Sequence, residues 1–264
     1  MKRLLIEKIP YLLPDELYQY TRGVGLYDSS CSPEARVYYI ERDGGYYLKR
    51  APLGTLCREA EMTKYFYSLG LGAQVLSYLS DKSEGCDWLL TRAVRGEDCT
   101  DARYISEPRR LCDLFAERLR ALHEITPSGC PVADRTSEYL RVAEENYRTG
   151  NYDKSHFPDS FGYRTAEQAY AVLSDGAGAL RSDTLIHGDY CLPNVILKDW
   201  RFSGFIDLGG AGVGDRHIDL FWGAWTLLFN LKTDKYRERF LDAYGRDRVE
   251  PELLRVVAAA EVFG

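Results

Sequence analysis

Short strand-like segments and one helical stretch fill the first ninety positions, and from Glu107 the pattern changes. Val37-Tyr38-Tyr39-Ile40 and Tyr46-Tyr47-Leu48-Lys49-Arg50 flank Asp43-Gly44-Gly45, a strong β-hairpin signal. Leu56, Ala60, Tyr65, Phe66 and Leu69 recur at helical spacing and stop at Gly70, which predicts a helix there. Trp88-Leu89-Leu90-Thr91-Arg92-Ala93 reads as an apolar strand running into a charged segment. From Glu107 the period is helical. Leu111, Leu114, Phe115, Leu119, Leu122 and Ile125 form one stripe that ends at Thr126-Pro127-Ser128-Gly129. Further helices are expected over 137–147, 165–173, 220–231, 236–244 and 251–263, with a loop over 151–162. A strand-rich region with one helix, followed by a larger and mainly helical one, is an α+β pattern. The division expected is 1–92 and 93–264.

The last strand signal carries chemistry. Val195-Ile196-Leu197 and Phe205-Ile206 bracket a polar turn and read as a hairpin with Asn194 and Asp207 at its open ends. Paired strands run about 4.8 Å apart, so both residues fall near one point. Asp189 stands in the loop just before, in His187-Gly188-Asp189-Tyr190-Cys191-Leu192-Pro193-Asn194. Two carboxylates and an amide oxygen make a hard-oxygen site suited to magnesium, whose shell phosphates and water complete. The remaining Asp then faces an attacking hydroxyl, as phosphoryl transfer requires. Asp189 alone would be read as a turn residue bonding its own backbone. His187 reads as an anchor of the loop more than as a base.

Composition narrows the field. The 264 residues are 45% hydrophobic, which suits a globular enzyme and excludes a disordered chain. No apolar run approaches the roughly 20 residues of a membrane helix, and the basic N-terminus lacks an apolar signal core of about 7–15 residues. A cytoplasmic protein is expected. Seven cysteines without a C-x-x-C pair fit reduced thiols, and Cys191 reads as packing because no paired His accompanies it. The net charge of −6 argues against nucleic acid as partner and is compatible with a cationic small substrate. No membrane partner and no obligate protein partner is indicated.

HGDYCLPN followed by GFIDLGGAGVGDRHID resembles the catalytic and metal-binding loops of the aminoglycoside 3'-phosphotransferases, within the protein-kinase-like fold. The resemblance implies a two-lobed architecture, with a nucleotide-binding lobe over 1–92 and a catalytic and acceptor-binding lobe over 93–264. It implies that Asp189 is the catalytic Asp and that Asn194 and Asp207 hold magnesium. The cofactors implied are ATP and Mg2+, with the choice between ATP and GTP left open. Upstream, a kinase-like fold demands a strand Lys and a helix carboxylate. Lys49 meets the first demand. Glu59 and Glu61 both lie on the predicted helix, and alignment with the family's helix favours Glu59.

In place of a glycine-rich loop stands Gly25-Leu26-Tyr27-Asp28-Ser29-Ser30-Cys31-Ser32-Pro33, where Ser32 matches the family's Ser-containing turn. Such a turn cradles phosphate through backbone N–H groups, and it is otherwise simply a hairpin loop. Tyr47 alternates to the same face as Lys49 and would stack on adenine, unless it is ordinary sheet packing. By resemblance to the strand that links the lobes, the backbone at Thr91 and Ala93 would read the adenine edge.

The acceptor side departs from the family. The ending Ala258-Ala259-Ala260-Glu261-Val262-Phe263-Gly264 keeps one carboxylate where two are common and runs one residue past Phe263. Gly210 and Trp225 stand where members carry Arg. Glu261, Asp153 and Asp159 are the acceptor-binding candidates, Glu261 being otherwise an exposed helix-end charge. The function expected is ATP-dependent transfer of a γ-phosphate to a hydroxyl of a small molecule, foremost an aminoglycoside antibiotic. The alternatives are kinases of another hydroxylated metabolite, such as a sugar or amino alcohol, and a nucleotide-binding module without turnover. A protein kinase is disfavoured, since no Ala-Pro-Glu motif follows Asp207.

Overall fold

The structure is a computed structural model that describes residues 3–152 and 163–264. The chain divides into two compact units. One comprises the residues up to Cys99 together with Pro193–Gly209; the other comprises Thr100–Leu192 and Gly210–Gly264.

In the first unit run β1 (Leu4–Ile6), α1 (Asp15–Thr21), β2 (Gly25–Asp28), β3 (Arg36–Glu41), β4 (Tyr46–Pro52), α2 (Cys57–Ser68), β5 (Val75–Asp81), β6 (Cys86–Arg92) and β7 (Glu97–Asp98). The chain then enters the second unit with α3 (Ala102–Ile105), α4 (Pro108–His123), α5 (Arg135–Thr149), α6 (Ala166–Gly176) and β8 (Thr184–Ile186). The hairpin β9 (Val195–Lys198) and β10 (Arg201–Phe205) belongs to the first unit. The second ends with β11 (Gly212–Gly214), α7 (Arg216–Leu231), α8 (Arg237–Gly245) and α9 (Pro251–Glu261).

Among the described residues, six strands form an antiparallel sheet in the order β1-β2-β3-β4-β6-β5. Side chains alternate across it. Tyr38, Ile40, Leu48, Trp88 and Leu90 enter one core with Leu17 of α1. Ala51 and Leu89 pack on the other face with Leu56 and Ala60 of α2. Lys49, opposite Leu89 in the ladder, shares that second face. Helix α1 is a difference from the sequence expectation of one helix in this region. It follows Pro14, carries Asp15 and Glu16 in its first turn and buries only Leu17, too little to set up a helical period.

The hairpin joins the first unit because β9 pairs with β7 on its other side. Its turn residues Asp199 and Trp200 both have positive φ, as a tight two-residue hairpin turn demands. In the second unit, α4 buries Leu111, Phe115, Leu119 and Leu122, and α9 buries Val256 through Ala260. Helix α7 starts at Arg216, earlier than expected, because the Asp215 carboxylate caps it by accepting from the His217 N–H. No helix among the described residues is long and apolar enough to cross a membrane.

Candidate active site

Within the first unit, β4 presents Tyr47 and Lys49 on the face that meets α2. The Lys49 ammonium donates to Glu59 Oε2 at 2.7 Å and to Asp207 Oδ1 at 2.9 Å. Burial opposes the charge on Lys49, but the two carboxylates outweigh it and hold its pKa above the ordinary lysine value. Burial, joined by the Asp207 charge, pushes Glu59 up while Lys49 pulls it down. Asp207 has φ +59, a left-handed conformation that Asp adopts more readily than most residues. The Ile206 N–H donates to the Asn194 carbonyl at 3.0 Å, which ties the two open ends of the hairpin together.

These groups line a cavity of about 360 Å³. Lys49, Glu59, Asn194 and Asp207 are among its charged and polar lining residues; Val37, Ala73, Leu89, Val94 and Ile206 are among its apolar ones. Ser32, Tyr47 and Thr91 also line it. The Tyr47 hydroxyl accepts from the Arg3 guanidinium at 2.9 Å, and that guanidinium lies 3.5 Å from the centre of the Tyr39 ring. The Ser32 hydroxyl bonds the Glu34 carboxylate and lowers its pKa. Apolar walls together with a cation and carboxylate and amide oxygens suit a base and its phosphates. Asn194 and Asp207 have the oxygen chemistry that magnesium takes. Among the described residues no cluster of three His, Cys, Asp or Glu could hold a metal by itself.

Ala93 differs from expectation. Its N–H donates to the Gly45 carbonyl at 2.9 Å and it does not line the cavity; Thr91, Arg92 and Val94 do.

In the second unit, the loop after β8 is held by side chains. Asp219 of α7, fully buried, accepts from the N–H groups of His187 and Gly188 at 2.7 Å each and meets His123 Nε2 at 3.1 Å. Burial lowers the pKa of His123, whose Nδ1 lies 2.8 Å from the Tyr244 hydroxyl. Gly188 has φ +79, and a Cβ there would collide with the Gly210 carbonyl oxygen. Only glycine fits. His187 is buried, and its Nδ1 accepts from the Asp189 N–H at 3.4 Å, so it anchors the loop as expected. Tyr190 stacks on Phe115 with centroids 4.3 Å apart and donates to its carbonyl at 2.7 Å. Burial, then the charge of Asp189, raises the Cys191 thiol far above its ordinary value, which disfavours the thiolate that a nucleophile needs.

Glu261 is not an exposed helix-end charge. Its Oε1 accepts from the Tyr139 hydroxyl at 2.8 Å and from Trp222 Nε1 at 2.9 Å. Burial, with the Asp189 charge adding to it, raises its pKa to about 7 against the pull of those two donors. Asp153 and Asp159 lie outside the described residues.

Residues 33–255 match the model of a phosphotransferase enzyme family. The chain belongs to that family. It is 50% identical over 262 residues to a probable aminoglycoside 3'-phosphotransferase of Lactococcus lactis, covering 99% of this chain and 97% of that one. It is 30% identical to an aminoglycoside 3'-phosphotransferase of Niallia circulans over 68% of each chain. A crystal structure of an aminoglycoside 3'-phosphotransferase of type VIII superposes with TM-score 0.71 at 27% identity, covering 89% of this chain and 91% of that one. A Streptomyces rimosus aminoglycoside phosphotransferase in complex with ADP and streptomycin shares the fold, with TM-score 0.68 at 24% identity over 87% and 91% of the chains. The protein is an ATP-dependent small-molecule phosphotransferase with the α+β kinase-like fold of this family.

Several residues that build this phosphotransferase were missed in the sequence. Asp219 is the foremost, since it organises the backbone of the Asp189 loop. It closes the motif GFIDLGGAGVGDRHID, and a carboxylate inside the otherwise apolar stretch Ile218-Asp219-Leu220-Phe221 is a further signal. Tyr139 and Trp222, the partners of Glu261, carry no signal beyond ordinary helix packing.

Proposed function

We propose that the chain transfers the γ-phosphate of ATP, as its magnesium complex, to the 3'-hydroxyl of a cationic aminoglycoside in the cytoplasm, and so inactivates the antibiotic. The observation that carries this reading is the Lys49 ammonium, held between Glu59 and Asp207 in the lining of a largely apolar cavity. The 3'-hydroxyl follows from the full-length similarity to the Lactococcus relative.

In this reading Lys49 binds phosphate oxygens and Glu59 fixes its ammonium. Tyr47, oriented by Arg3, stacks on the base, and the strand backbone at Thr91 lies along the base edge, with Ser32 in the turn beside the phosphates. Asn194 and Asp207 would hold magnesium, which when bound offsets the phosphate charge. Asp189 accepts the hydrogen bond of the acceptor hydroxyl and takes its proton. The bond from the γ-phosphorus to the acceptor oxygen forms as the bond to the departing ADP oxygen breaks. Nucleotide binding thus belongs to 1–92 with the hairpin, and acceptor binding to the rest of 93–264.

The test is ADP release across aminoglycosides, simple sugars and amino alcohols. Turnover confined to aminoglycosides is expected. Comparable turnover of sugars or amino alcohols, with aminoglycosides inert, would overturn the acceptor assignment.

A further inference from the structure

Helix α4 ends on a buried histidine that takes no part in the transfer steps. The His123 side chain is 1% exposed, and that of Asp219 beside it is fully buried. His123 Nε2 lies 3.1 Å from Asp219 Oδ2, and Nδ1 lies 2.8 Å from the hydroxyl of Tyr244 on α8. Asp219 Oδ2 also accepts from the His187 N–H, and Oδ1 accepts from the Gly188 N–H. A carboxylate is an acceptor only, so the His123 proton sits on Nε2 and points at it. Nδ1 is then an acceptor, and Tyr244 donates to it. The imidazole is neutral with both nitrogens engaged. Burial favours that form against the pull of Asp219.

Two observations give this histidine a task beyond filling the core. First, Asp219 grips the start of the Asp189 loop through the N–H groups of His187 and Gly188. A buried carboxylate holds such bonds only while donors offset its loss of water. The imidazole N–H is a donor from outside the loop. Tyr244 fixes the ring that carries it, by its hydroxyl and by an edge-on ring contact at 5.6 Å. Without that N–H the carboxylate would have one donor fewer, and its hold on the loop would loosen. Second, the same helix grips the loop again at Tyr190. The Tyr190 hydroxyl donates to the Phe115 carbonyl at 2.7 Å, and the two rings stack. Phe115 and His123 stand about two turns apart on α4. The helix therefore holds the loop on both sides of Asp189.

We propose that His123 is a positioning residue for phosphoryl transfer. Its Nε2–H fixes the Asp219 carboxylate, Asp219 fixes the His187–Gly188 backbone, and that backbone aims the Asp189 carboxylate at the acceptor hydroxyl. The proposal rests on the reading of Asp189 as the group that takes the acceptor proton. His123 acts through Asp219 and not on a substrate.

The experiment is steady-state kinetics of the whole enzyme with ATP and kanamycin B, or with the sugar or amino alcohol that the ADP-release panel selects. The variants are His123→Asn, His123→Gln and Tyr244→Phe, with His123→Asn repeated in Asp189→Asn. A glutamine amide reaches the place of Nε2 and an asparagine amide that of Nδ1, so Gln keeps the donor to Asp219 and Asn loses it. His123→Asn should lower kcat roughly 10²-fold, the scale of a misplaced reacting group, with both KM values near those of the wild type. His123→Gln should restore most of that loss. In Asp189→Asn, His123→Asn should cost little more, because the carboxylate it serves is gone. Equal losses in the Asn and Gln variants, or a loss that persists undiminished in Asp189→Asn, assign His123 to packing alone and overturn the proposal. Tyr244→Phe decides where His123→Asn does not fold: a lowered kcat with both KM values held supports the proposal, and a wild-type kcat overturns it. Near-native turnover of Asp189→Asn overturns the reading of Asp189 itself, and the proposal with it.

Discussion

Lys49 of the strand-rich unit and Glu261 of the helical unit are buried charges in opposite settings. In the first, Lys49 lies between Glu59 and Asp207, and charge meets charge at 2.7 and 2.9 Å. In the second, Glu261 accepts from two neutral donors, Tyr139 and Trp222, and burial raises its pKa to about 7. A cation kept charged by carboxylates is ready for an anion to bind beside it. A carboxylate left with neutral partners is ready for a cation. In the proposed function the two settings serve ligands of opposite charge, the nucleotide and the acceptor.

The strongest way to break this comparison is Asp189→Asn. Turnover should fall by roughly 10²–10⁴-fold, the usual worth of a positioned general base, while nucleotide affinity by calorimetry stays near that of the wild type. Lost nucleotide affinity would move Asp189 to the nucleotide's side of the comparison. Next is Lys49→Met, expected to lower kcat/KM for ATP by roughly 10²–10³-fold, the scale for removing one donor from developing phosphate charge. Asp207→Ala should raise the magnesium concentration needed for half-maximal rate. An unaltered magnesium dependence would remove Asp207 as a ligand.

A smaller effect sharpens the acceptor side. Glu261 is neutral below its pKa of about 7 and ionised above it. A cationic acceptor binds the ionised form, so its KM should fall as pH rises through 7. In Glu261→Gln that dependence should flatten, with the nucleotide KM as the internal control. A pH profile identical in wild type and variant would detach Glu261 from acceptor binding.

Much of the strand-rich unit was legible because alternation is a local rule. It put Tyr47 and Lys49 on one face, and the hairpin brought Asn194 and Asp207 together. The limits of that reading are contacts with distant partners. The setting of Glu261 depends on Tyr139 and Trp222, 122 and 39 positions away. The Ala93 amide is spent on Gly45, a pairing that no strand pattern announces. Asp219 closes the motif GFIDLGGAGVGDRHID, but its role shows only in the His187 and Gly188 N–H groups that donate to it.

The central claim is that this enzyme phosphorylates a 3'-hydroxyl of an aminoglycoside. The direct measurement sets kanamycin B beside tobramycin, its 3'-deoxy counterpart, with ATP and magnesium, and locates the phosphate on the product by phosphorus–proton NMR correlation. The account predicts rapid ADP release with kanamycin B, a single phosphate coupled to the 3' proton, and no phosphorylated tobramycin. Equal turnover of the two, or a phosphate on any other carbon of kanamycin B, would contradict it.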